Sequence, residues 1–247
     1  MRTWCLAGFL GFATAMLVYS VYNLFPDDWL RELDEEGDAV SHRRVRRLSA
    51  NSLWVLSPIF CVCLFLVFSV RGSVAGRFFL WFYFLLCALV WISDVKNRVI
   101  PNLLPLFFVV VWAAERVFVS GSAGRNFIFD NEWIDRSVGA LAIPLLLFLI
   151  ASALTAFSGR EHLGFGDIKL LFACGLVVGA GQSLLLLFLS VCFSLVVMVP
   201  RFVFLVFSGK FRGFPKNTTM HFADDPAYFP LGPSICLVFF VMKCLFF

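Results

Sequence analysis

Long apolar runs, separated by short polar stretches, divide the chain into eight segments, at roughly 4–25, 52–70, 78–93, 103–119, 137–157, 168–181, 183–204 and 231–247. Most approach 20 residues, the length an α-helix needs to cross ~30 Å of hydrocarbon. A buried soluble core would not need so many. The pattern predicts an all-α polytopic membrane protein of about eight transmembrane helices joined by short loops, with no large soluble domain. The sixth run is short for a full crossing, so it either starts nearer Gly164 or is sheltered by neighbouring helices. The seventh contains Pro200 and Arg201, where it is expected to kink or to turn along the interface as far as Phe207. The first run follows Arg2 as a signal peptide would. It is too long for one, however, and its small-residue triplet Ala13-Thr14-Ala15 falls in mid-run, so it reads as a retained span.

Composition strengthens this picture. Of 247 residues, 61% are hydrophobic and 15% charged, against about half and a quarter in a soluble domain. The 32 Phe add bulk without a polar tip. The net charge of +4 is modest and its basic residues are dispersed apart from one cluster, so nothing points to nucleic acid. The eight Cys lie in or beside apolar runs, none with the spacing of a metal site, and read as small buried hydrophobes. No metal and no cofactor is called for.

Loop charge sets the expected orientation. Most of the 20 Lys and Arg fall on one side, among them Arg43, Arg44, Arg46, Arg47, Lys96, Arg98, Arg160, Lys169, Lys210 and Lys216. That side is expected to be the cytoplasm, with both termini outside. The chain then divides into 1–51, a first helix with a charged cytoplasmic loop, and 52–247, a membrane-embedded domain. In the loop, Asp27, Asp28, Glu32, Asp34, Glu35, Glu36 and Asp38 precede the cluster Arg43, Arg44, Arg46 and Arg47. It reads as a solvated acidic turn with a basic segment on anionic headgroups, or as a docking surface for a charged substrate segment.

Two aspartates carry the candidate chemistry. Asp94 ends the third run in WISDVKNRVIPN, and Asp167 opens the sixth in HLGFGDIKLL. Two spans lie between them, so both carboxylates return to the same face. A carboxylate near the membrane core is costly to keep and is a functional candidate by default. Two that converge cannot both ionise easily and hold one proton between them. The ionised partner can then draw a proton from water while the neutral one polarises a peptide carbonyl, and the pH dependence belongs to the pair. Gly164 and Gly166, ahead of Asp167, would let an extended peptide approach the backbone. Pro101 bars a helix through the 94–102 linker, and Asn102 is placed to cap the fourth helix. The competing reading is structural, because a Gly-rich turn and a capping Asp open many helices. Lys169 would either bias the aspartates or extend towards headgroups. His162 reads as a loop residue, and Glu115 with Arg116 as an interfacial pair.

These motifs resemble those of the type IV prepilin peptidases, which are GxGD-type intramembrane aspartyl proteases. SDVKNRVIPN is similar to their first aspartate motif, an Asp followed by Ile-Pro-Asn. GFGDIKLL is similar to the second, and FPLGPSI at 229–235 to the segment opening their last span. The resemblance implies that Asp94 and Asp167 are the catalytic pair. It also implies cleavage of the basic leader of type IV pilin-like or pseudopilin precursors, at the cytoplasmic side of a bacterial-type cytoplasmic membrane. Many members carry two Cys-x-x-Cys pairs in the first loop and also N-methylate the product. No Cys occurs between Cys5 and Cys61, which leaves methylation open. Presenilin- and signal-peptide-peptidase-like proteases also use a GxGD aspartate, but with Tyr-Asp and Pro-Ala-Leu where this chain has Ser93-Asp94 and Leu231-Gly232-Pro233. A transporter or assembly factor would also explain two intramembrane acids, but not Gly-x-Gly or Ile-Pro-Asn.

Overall fold

A computed structural model describes residues 2–30, 45–69, 73–120, 131–158, 164–207 and 231–246. Among these residues the fold is all-helical, with no strands. Eight α-helices follow the predicted runs: α1 (Arg2–Leu24), α2 (Asn51–Ser69), α3 (Val74–Asn97), α4 (Leu103–Glu115), α5 (Asn131–Ser158), α6 (Phe165–Val178), α7 (Ala180–Phe207) and α8 (Gly232–Phe246). Three contain windows long and apolar enough to cross a membrane: Val74–Asn97, Trp133–Phe157 and Ala180–Pro200. The chain is a membrane protein.

Several boundaries moved for identifiable reasons. Helix α3 does not stop at Asp94 but runs one turn further. Its end is set by Arg98 in the left-handed conformation at φ 58°, not by Pro101. Helix α4 passes into a π-helical turn, Arg116–Ser120. Helix α6 does start beside Gly164, and its 14 residues span only about 21 Å. Pro200 lies inside α7, which continues to Phe207. A helix can retain a proline at membrane depth when neighbouring groups satisfy the freed carbonyl.

Helix α3 forms the centre. Most of its residues from Phe79 to Asp94 are buried, and it packs against α1, α2, α4 and α8. Helices α5 and α7 present much of their apolar surface outward, including Leu141, Leu145, Phe148, Phe188 and Val196. This is the distribution a bilayer permits, since lipid rather than protein covers the outer faces. At the core of the α3–α4–α8 junction, the rings of Tyr83, Phe108 and Phe239 contact one another at centroid distances of 5.5–6.1 Å.

Helix α6 is held by glycine contacts. A Cβ on Gly139 of α5 would lie 2.5 Å from the carbonyl carbon of Gly179, and one on Gly175 would lie 2.5 Å from the Gly139 oxygen. Small residues let membrane helices meet backbone to backbone. The adjacent acid and base Asp135 and Arg136, which the sequence reading did not single out, close the α6–α7 corner. Asp135 accepts from the Ala180 N–H at 3.3 Å, and Arg136 donates to the Val177 carbonyl. One side chain thus serves the N-terminus of α7 and its neighbour the C-terminus of α6, each with the charge that end favours.

Candidate active site

Asp94 stands in the last turn of α3. The turn is closed by the Arg98 N–H donating to the Asp94 carbonyl at 2.9 Å. The fully buried Ser93 donates from its hydroxyl to the Val99 carbonyl at 2.6 Å, folding the linker back over the helix end. Asn97 extends this anchorage: its amide donates to the Tyr22 hydroxyl at 2.7 Å and its oxygen accepts from the Arg46 N–H at 2.9 Å. The Asp94 side chain is therefore carried by backbone that is fixed on three sides.

Asp167 lies in the first turn of α6, where a helix N-terminus favours a carboxylate. Both acids are buried, at 4% and 5% exposure, and each lies within electrostatic range of the other. The end of α3 and the start of α6 lie at the same end of the bundle, close enough for the two carboxylates to act on each other. Two further contacts tie these segments together. Ile100 packs on Gly166, where an added Cβ would lie 3.2 Å from the Ile100 Cβ. Lys169 donates to the Asn102 side-chain oxygen at 2.8 Å.

Helix α8 completes the site. A Cβ on Gly232 would fall 2.5 Å from Asp94 Oδ2 and 3.1 Å from Ile100 Cδ1. Only hydrogen fits there, and the Gly232 N–H faces the Asp94 carboxylate. Oδ2 itself is buried and makes no hydrogen bond among the described residues. A buried polar atom without a partner costs about 1–3 kcal/mol. Below the two acids, within their electrostatic reach, lies the thiol of Cys236.

Several sequence readings change in detail. Asn102 occupies the position before α4, but its side chain makes no capping bond; it serves Lys169 instead. The Lys169 ammonium sits on Asn102 and over the Phe165 ring at 4.4 Å. Gly164 has an ordinary φ of −68°, and Gly166 makes room for Ile100, so neither glycine is there for a left-handed turn. Glu115, read as interfacial with Arg116, has Lys243 and Tyr83 as partners. Arg47, expected on headgroups, donates to the carbonyls of Tyr22 and Asn23 at the end of α1 and pairs with Asp27. His162, Glu32, Asp34, Glu35, Glu36, Asp38, Arg43 and Arg44 lie outside the described residues. Gly232 and Ser93 were not anticipated as site-forming. Gly232 does fall inside the FPLGPSI segment, which was the available signal.

Fold and site together define a helical membrane protein with two buried acids brought together at one end of its bundle. Residues 80–199 match the type IV leader peptidase family. This stretch takes in both aspartate motifs and stops short of the 229–235 segment. The match bears out the family resemblance over these residues and supports a protease of the leader-peptidase kind. No curated protein and no solved structure matches the chain.

Proposed function

We propose that the protein is an intramembrane aspartyl endopeptidase that removes the basic leader from type IV pilin-like or pseudopilin precursors, just before their hydrophobic segment. The observation that carries this reading is Asp94. It is a buried carboxylate with an unpartnered oxygen, held against a glycine and within electrostatic range of a second buried acid. An acid serving structure alone would be expected to have its hydrogen-bonding capacity filled.

In the proposed reaction Asp94 and Asp167 share one proton. The ionised carboxylate takes a proton from water as it attacks the scissile carbonyl, and the protonated partner donates to the carbonyl oxygen. The proton taken from water then passes to the leaving amine as the C–N bond breaks, the hydroxyl of the tetrahedral diol returns a proton to the other carboxylate, and the pair regains its starting state. Nothing in this sequence requires a covalent intermediate. Ser93, Gly232 and Ile100 hold the pair in place, while Lys169 and Asn102 secure the linker across α6. All eight helices are taken to span the bilayer of a bacterial-type cytoplasmic membrane, with both termini outside and the aspartates at the cytoplasmic side. This orientation rests on the loop charges.

The test is incubation of purified protein with a pilin-like precursor, read by intact mass. A single cut between the basic leader and the apolar segment is expected from the wild type, and none from Asp94→Asn or Asp167→Asn. A precursor left whole by the wild type would favour the transporter or assembly reading. Cleavage by either Asn variant at the wild-type rate would remove the aspartates from the mechanism.

A further inference from the structure

A second polar cluster lies deep in the bundle, away from the aspartates. Lys243 of α8 is 4% exposed. Its ammonium donates to both oxygens of Glu115 on α4, at 3.1 and 3.3 Å. The Tyr83 hydroxyl of α3 donates to Glu115 Oε2 at 2.8 Å, and Lys243 also lies 5.2 Å from the centre of the Tyr83 ring. Three helices thus meet on one carboxylate. Charges at membrane depth are retained where they pair and serve a function.

The position of the cluster suggests what it does. Along α3, Tyr83 precedes Asp94 by 11 residues; along α8, Lys243 follows Gly232 by 11. Eleven residues are about three turns, so each pair shares one helix face and is separated by about 16 Å. The two stripes run antiparallel against each other. Gly232 meets Asp94 at one end, Cys236 comes within hydrogen-bonding reach of Cys87 next, Phe239 then packs on Tyr83, and Lys243 closes on Glu115 and Tyr83.

We propose that Lys243, Glu115 and Tyr83 are positioning residues, fixing the register of α8 on α3 and thereby holding Gly232 against Asp94. Apolar packing alone fixes register weakly in a bilayer, where lipid chains compete with side chains for the same surface. A slide of α8 by one turn would put Cys236 in the place of Gly232, where a side chain would displace the Asp94 carboxylate. The same slide would take Lys243 about 5.4 Å from its carboxylate. A buried ion pair contributes little net stability against an apolar substitute, and setting register is its best-attested use.

The inference rests on the reading of Asp94 and Asp167 as the reacting pair, so the test includes a readout independent of activity. Membrane-embedded protein is oxidised with copper–phenanthroline, and the Cys87–Cys236 cross-linked peptide is quantified by mass. Cleavage of a pilin-like precursor is measured alongside. Lys243→Met and Glu115→Gln should each lower the cross-link yield and cut the maximal cleavage rate by about tenfold or more, with KM within about twofold. Lys243→Arg, and the exchange of Glu115→Lys with Lys243→Glu, should each restore both readouts to within about threefold of wild type. Wild-type cross-linking and cleavage in the single variants would overturn the proposal. So would lost cleavage with unchanged cross-linking. If the wild type cuts no precursor, the peptidase reading fails, and the cross-link yields still decide the question of register.

Discussion

The two ends of the α3–α8 interface treat a carboxylate in opposite ways. At one end Asp94 has an oxygen with no hydrogen bond among the described residues, the Gly232 backbone against it, Arg98 within electrostatic range and a second acid nearby. At the other end Glu115 has a cation on both oxygens and a phenol on one. Asp94 lies on the α3 stripe itself, whereas Glu115 reaches the other end of the interface from α4. The difference lies in what surrounds each acid. The paired carboxylate has its acceptor capacity taken up and can hold helices together. The unpaired one keeps an oxygen free for a proton or a water, at a cost in stability that the rest of the fold carries.

That contrast can be broken most directly with one chemical change made at both ends. Asp94→Asn should reduce precursor cleavage by about 10³-fold or more, because it removes a proton-transfer group. Its thermal unfolding midpoint in detergent should stay level or rise, since a costly buried acid has been neutralised. Glu115→Gln should do the reverse to stability. It leaves the buried Lys243 without its countercharge, a loss of about 3 kcal/mol or more. Equal destabilisation by both substitutions would mean that Asp94 is a structural acid like Glu115.

Glycine provides the next comparison, with a smaller effect. Gly232→Ala places a methyl 2.5 Å from Asp94 Oδ2. The carboxylate can swing away, so the fold should tolerate the change while cleavage falls by about 10²-fold through misplacement. Gly175→Ala places its methyl 2.5 Å from the backbone oxygen of Gly139, which cannot swing away. That variant should lose about 1–3 kcal/mol of stability through overpacking. Gly181→Ala, with nothing within 4 Å, is the neutral control. Thermal melts and cleavage rates measured on the three proteins would separate a glycine kept for chemistry from one kept for helix contact.

Most of the helical architecture was legible in the apolar runs, and three of the helices have the length that hydrocarbon thickness demands. That Asp94 and Asp167 return to the same end of the bundle was legible too, since counting two intervening spans needs no side-chain detail; their proximity was carried only by the family resemblance. The partners that complete the site were less accessible. Gly232 meets Asp94 across 138 positions of sequence, and the close approach depends on the rotation of α8, which an apolar run does not encode. Glu115 reads as a residue at the end of a run, and it does end α4; that Lys243 of α8 closes on it depends on how the helices pack. Asn102 was read by a local rule, as a cap. Its side chain was claimed instead by Lys169 of α6, 67 residues away. Local propensity yields where a tertiary partner offers a stronger bond.

The Lys169–Asn102 bond is the smallest of the testable differences. It joins the second aspartate motif to the first, on the exposed side of Asp167, and so lies between the two extremes of pairing. Its contribution should be about 1 kcal/mol, as for a single hydrogen bond that is partly open to solvent. The bond holds the linker whose Ile100 packs on Gly166, so losing it should slow cleavage by about fivefold. Lys169→Met and Asn102→Ala should each show that loss, and the double variant should be no slower than either single one, because both remove the same bond. Multiplying losses would show that the two residues act separately. A much larger loss from Lys169→Met than from Asn102→Ala would mean that the ammonium acts on the aspartates themselves, not only through the linker.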